Sequence, residues 1–203
     1  MSTNQPEDTD GVPAEPSPLA AFADEVAAAV GGTPSTDHGT VKVRVAAERW
    51  AEAVEAARDA AGLPFLEFIS AIDWANDVSV GDPPEEPVEE RLEVLCAVGD
   101  VVEGRLAILS ADIPKEAPSI ASLTHLYPGA EWHEREAAEM FGIHFEGLAK
   151  TDHLYLPDEF EGNPLRKSFA LLTREVKPWP GDVDVEDLPD AVPTGPSTEN
   201  PGA

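Results

Sequence analysis

The chain of 203 residues carries 40 Asp plus Glu against 13 Lys plus Arg, a formal net charge of −27. Such a field repels phosphate backbones and anionic bilayers, which excludes a nucleic-acid binder driven by charge neutralisation and disfavours broad contact with a membrane surface. With 42% hydrophobic residues the chain is too apolar for a wholly disordered acidic protein, and its foldable part has the length of one domain.

Residues 1–18 are rich in Pro and acids and hold no base, so they read as a disordered acidic tail. From Leu19 to Val30, Leu19, Phe22, Val26 and Val30 recur at helical spacing, and Gly31-Gly32 ends the run. Val41, Val43 and Val45 alternate with Lys42 and Arg44, the signature of a half-buried strand. Ala46 to Ala61 is a second helix with Trp50, Val54 and Ala57 on one face, stopped by Gly62 and Pro64. Phe65–Trp74, Leu92–Val98 and Arg105–Ser110 are strands, the last two joined through Gly99-Asp100, while the Pro-rich acidic stretch 81–90 is a solvated loop. Ser119 to Leu126 reads as helical, and Ala130 to Phe141 is a helix closed by Gly142. Beyond it, Gly147, Pro157, Gly162 and Pro164 leave room only for extended chain.

This order predicts an α+β fold: two layers, a mainly antiparallel sheet with helices on one face, plus an extended C-terminal arm. The expected division is a tail at 1–18, an α+β domain at 19–145, an extended docking segment at 146–181 and a second acidic tail at 182–203.

Catalytic chemistry finds little support. The single Cys96 can form no internal disulfide and falls short of the thiolates that an iron–sulfur cluster needs. No GxGxxG, GxxxxGK[ST], GxSxG or HExxH occurs, and no apolar run approaches the roughly 18 residues that span a bilayer, so contact with a membrane is expected only through partners. Glu134 and Glu136 point about 200° apart on a helix and cannot act as one carboxylate pair. His133 and Glu136, at i,i+3 with His125, His144 and His153 nearby, are the best metal constellation available, yet isolated surface histidines explain them more simply. No catalytic, cofactor-binding or metal-ligating residue is expected.

Two segments stand apart. In the helix at 130–142, Arg135 has Glu131 four residues before and Glu139 four after, a spacing that supports the helix and also suits a solvated face. Pro164-Leu165-Arg166-Lys167-Ser168-Phe169 lies in a neutral zone of a very acidic chain. Arg166 there offers a planar donor fork, and Leu165, Phe169, Leu171 and Leu172 offer apolar anchors for a partner; the same residues also suit a basic turn that balances local acids.

Glu134-Arg135-Glu136, followed by Glu139-Met140-Phe141-Gly142-Ile143 and Phe145, and then by Glu161-Gly162 and Pro164 to Phe169, resembles the C-subunit family of respiratory complex I, the NADH–quinone oxidoreductase. Val176 to Gly181 is similar to the closing stretch of bacterial members, whereas Leu148-Ala149 replaces the usual His-Pro and leaves Lys150 and His153 as the local basic side chains. The resemblance implies a cofactor-free interaction subunit of the peripheral arm, packed beside the large quinone-site subunit on the cytoplasmic side of the cell membrane, with iron–sulfur clusters and FMN in its partners. It implies interface roles for Glu134, Arg135, Glu136, Glu139, Phe141, Gly142, Pro164, Leu165, Arg166, Lys167 and Phe169. A related membrane-bound hydrogenase or non-NADH dehydrogenase would share these features.

Overall fold

The computed structural model describes residues 17–79 and 82–170. Both expected tails lie outside these residues except for Ser17 and Pro18, and so do the arm from 171 onward and the Val176 to Gly181 stretch. Ser17 and Pro18 open the first helix, α1 (Pro18–Val30): the Ser17 hydroxyl accepts from the Ala20 N–H at 3.2 Å, and proline suits a first turn whose N–H would go unpaired. Gly31 closes the helix at φ 71°.

A short β1 (Thr33–Ser35), too brief to read from sequence, leads to β2 (Val41–Val45). After a 3-10 turn at Ala47–Arg49 comes α2 (Trp50–Asp59), which buries Trp50, Ala53, Val54 and Ala57. Three long strands follow: β3 (Phe65–Trp74), β4 (Arg91–Asp100) and β5 (Arg105–Ile113). The β4–β5 turn sits at 101–104, beyond the expected Gly99-Asp100. Gly99 stays paired in the strand, while Asp100 Oδ1 accepts the N–H groups of Val102 at 2.9 Å and Glu103 at 3.3 Å and so tightens the turn.

The sheet order is β1-β2-β5-β4-β3. Every pairing is antiparallel except β2 with β5, which is parallel and makes the sheet mixed. The register aligns Val43, Leu109, Cys96 and Ile69 across one face, where they join the helices in a single core with Val26, Trp50 and Val54. On the opposite face Phe68, Ile72, Leu95 and Ile108 remain half-buried.

The helix expected at 119–126 does not form. Ser119–Ala121 is instead a strand, β6, paired in parallel with β7 (His144–Glu146), and a turn follows it. The Leu123 N–H, which a helix would give to a carbonyl one turn back, goes to the Glu134 carboxylate, and the Ser122 hydroxyl contacts both Thr124 and Glu134. Ser and Thr favour such local alternatives, and the strand partner lies too far along the chain to be read locally. The last helix, α3 (Ala130–Phe141), packs on the helix-covered side of the sheet beside β3 and ends at Gly142, as the sequence predicts.

Candidate interaction surface around the ERE helix

α3 turns its acidic residues to different tasks. Glu134 is fully buried: one carboxylate oxygen accepts from the Ser122 hydroxyl at 2.6 Å and the other from the Leu123 N–H. Burial pushes its carboxyl above the usual glutamate range, partly opposed by those two donors. Glu139, five residues on, accepts the backbone N–H groups of Leu154, Tyr155 and Leu156. Burial alone would raise its carboxyl, but the three amides outweigh burial and hold it below the ordinary value. Arg135 bridges to the same loop, donating to Asp152 O at 3.0 Å and His153 O at 3.3 Å, with its guanidinium over the Trp132 ring at 5.4 Å. Glu136 alone of the motif has no hydrogen bond or ion pair among the described residues.

The second motif caps the first. The last carbonyls of a helix have no partner within it. Here Ala138 O accepts from the Gly142 N–H, Glu139 O from Asn163 Nδ2 at 2.9 Å, Met140 O from the Leu165 N–H at 3.1 Å and Phe141 O from Arg166 Nε at 2.6 Å. Gly142 is required twice over: its φ is 70°, and a Cβ there would lie 2.6 Å from Asn163 Oδ1. Arg166 also reaches Lys115 O and places a cation at the negative end of the helix dipole. Beyond the cap, the Lys167 N–H donates to the buried Asp73 at 2.8 Å, Ser79 bonds Lys167 O and Ser168 O, and Phe169 stacks on Phe160 at 5.9 Å between ring centroids.

Glu134, Arg135, Glu139, Phe141, Gly142 and Arg166 therefore serve contacts inside the chain, and Pro164 lies within the capping segment. Leu165, 52% exposed, and the exposed Lys167 point outward with Trp132 and Glu136. In the altered stretch, Leu148 packs on the core, Lys150 pairs with Glu131 at 3.1 Å and His153 Nδ1 contacts Pro157 O. His133 and Glu136 do share a cleft, but no third His, Cys, Asp or Glu joins them among the described residues.

Sequence reasoning missed Asn163, Asp73, Ser122 and Lys115. Asp73 and Lys167 are 94 positions apart, and no local pattern links them. A Gly-Asn-Pro-Leu-Arg run after a helix that ends in Gly is a signal for a distant cap only once the helix end is known.

The expected consequence concerns the isolated chain. Arg166→Ala should lower its stability by about 2 kcal/mol, read from thermal and urea melts, because two partly buried carbonyls lose their donor; Arg166→Lys should restore only part of this, lacking the planar fork. An unchanged melt would place the arginine's role elsewhere.

A second surface lies on the half-bare face of the sheet. At its centre Glu93 is fully buried; Lys42 Nζ lies 2.5 Å from it, Trp74 Nε1 donates to it at 2.9 Å, and Arg44 also pairs with Asp112 at 3.3 Å. Burial opposes the charge on Glu93, but Lys42 and Trp74 prevail and keep its carboxyl below the usual range. Ile72, Leu95, Ile108 and Trp74 floor a groove of about 790 Å³ beside these charges. At one end of the same face Phe65 and Leu106 flank Gly99 and stay exposed, next to exposed Val101 and Val102 on the adjoining turn. Contiguous apolar surface of this kind marks a place of association.

Residues 43–175 match the family described as respiratory-chain NADH dehydrogenase, 30 Kd subunit. The chain is 34% identical over 140 residues to the C subunit of the NADH-quinone oxidoreductase of Roseiflexus castenholzii, an alignment covering 68% of this chain and 74% of that one. It is 31% identical over 137 residues to the protein of the same name from Salinispora tropica, covering 66% of this chain and 52%, about half, of that relative. Among solved structures it is similar to a chain of the membrane-bound sulfane sulfur reductase, an archaeal respiratory membrane complex, with a TM-score of 0.63, 20% identity and coverage of 83% of this chain and 96% of that one. At that identity the likeness is one of fold.

Proposed function

The chain belongs to the family of the 30 Kd subunit of respiratory-chain NADH dehydrogenase, and from that membership we propose that it is the C subunit of an NADH-quinone oxidoreductase, a peripheral-arm component that binds neighbours and carries out no redox step itself. The observation that carries the interaction role is the sheet face on which Phe65 and Leu106 are exposed and Phe68, Ile72, Leu95 and Ile108 are only partly buried, a surface that a stable assembly covers. The large quinone-site subunit is the neighbour the reading assigns to the chain, on the cytoplasmic side of the membrane.

Electron transfer would then belong to flavin and iron–sulfur clusters in other chains. The one cysteine supports this: Cys96 is buried in the core, where burial pushes its thiol up and away from the thiolate that a cluster ligand must supply. No described helix is long and apolar enough to cross a membrane.

The test is recovery from native membranes. Gentle solubilisation and capture on a tag carried by this chain should yield a large particle with NADH- and quinone-linked activity, its other chains identified by mass spectrometry. Recovery as a free monomer would contradict the reading, and a particle with hydrogenase chains and no NADH-oxidising module would move it to a related complex.

A further inference from the structure

On the outer side of α3, Trp132, His133 and Glu136 face Leu154 and Tyr155 across a cleft of about 410 Å³. Trp132 is 56% exposed and Tyr155 64% exposed. Single exposed aromatics are ordinary, but two sharing one cleft have the composition of an interface hot spot. Glu136 is the one acid lining it, and among the described residues no cation reaches it: the nearby Lys150 pairs with Glu131, and Arg135 directs its N–H groups to Asp152 O and His153 O.

That lone carboxylate selects the occupant. An apolar partner would bury Glu136 without compensation. An acidic partner would meet repulsion from a chain of net charge −27. A lysine would satisfy the carboxylate, but its strongly hydrated ammonium stacks poorly on rings, whereas a guanidinium lies flat on an aromatic face and forks to a carboxylate. Arg135 over Trp132 already shows that this ring accepts a guanidinium.

We propose that the cleft between Trp132 and Tyr155 receives an arginine side chain from a neighbouring subunit, its guanidinium paired with Glu136. The proposal rests on the reading of the chain as one member of a larger complex, and it names the chemistry of one contact that this reading leaves open.

The test uses the assembled particle, with the photo-crosslinker p-benzoylphenylalanine in place of Tyr155. Irradiation and peptide mapping should yield an adduct to one partner peptide with an arginine within a few residues of the attachment point. Glu136→Lys in the same background should reduce that adduct about tenfold, while circular-dichroism melting of the isolated Glu136→Lys chain stays unchanged. No adduct in a particle that still contains the chain, an adduct on a peptide without arginine, or an adduct indifferent to Glu136→Lys would each overturn the proposal and leave the reading of the chain as part of a complex standing. A wild-type chain found in no particle would overturn both.

Discussion

Glu139→Gln should lower the melting temperature of the isolated chain by roughly 10 °C at neutral pH, equivalent to about 3 kcal/mol. The carboxylate accepts the N–H groups of Leu154, Tyr155 and Leu156 together, and an amide side chain turns one of its two terminal atoms from acceptor to donor against them. The effect has a pH signature with a definite sign. The Glu139 carboxyl is held below the ordinary value in the fold, so its contribution is complete above the unfolded value, about 4.3, and is lost as pH falls through the lower folded value. The gap between wild type and Glu139→Gln should therefore be constant from neutral pH to about 5 and close in the acid limb. A gap that persisted unchanged at pH 2 would show that the ionised carboxylate is not what holds the loop.

Glu134, on the same helix, should behave oppositely. Glu134→Ala removes a fully buried side chain, strands the Leu123 N–H and leaves the Ser122 hydroxyl with Thr124 alone, at an expected cost of about 3 kcal/mol. Glu134→Gln, however, keeps both contacts: its carbonyl oxygen accepts from Leu123, and its amide donates to a hydroxyl free to rotate. Because burial raises the Glu134 carboxyl, ionising it costs stability as pH rises from the unfolded value through the higher folded one. The Gln variant is exempt from that loss, so it should gain on wild type over that interval and equal or exceed it at neutral pH. Urea melts at several pH values separate the two glutamates; a Glu134→Gln variant as damaged as Glu134→Ala would refute the assignment.

These two residues show how far the sequence was legible. The spacing of Glu131, Arg135 and Glu139 announced the helix, and Gly142 announced its end, because both signals are local. The strands were legible for the same reason, through the alternation of Val41, Val43 and Val45 and the apolar stretch Val94 to Val98 within β4. What local pattern cannot carry is pairing over distance. The parallel join of β2 to β5, the strand at Ser119–Ala121 in place of a helix, and the anchoring of Lys167 on Asp73 each depend on a partner tens of residues away. The candidate site divides along the same line. Its motifs were visible as two separate stretches suited to partners, but the contact that unites them, Arg166 and Asn163 closing the last turn of α3, exists only in three dimensions. The outward residues Trp132, Glu136, Tyr155 and Leu165 carry no signal that tells them from the inward ones until the helix phase is set by the burial of Glu134 and Glu139.

α3 and the segment through residue 170 are joined by hydrogen bonds within the chain, and the proposed function assigns the uncovered sheet face and the aromatic cleft to neighbours. Amide hydrogen exchange on the purified, unassembled chain tests this most directly. The amides of Leu154, Tyr155, Leu156, Leu165 and Lys167 should be protected well above the exposed 82–90 loop, and Glu139→Gln should release the first three. Exchange of all five at the rate of that loop, with protection appearing only in the assembled particle, would show instead that partners, and not the ERE helix, put the arm in place.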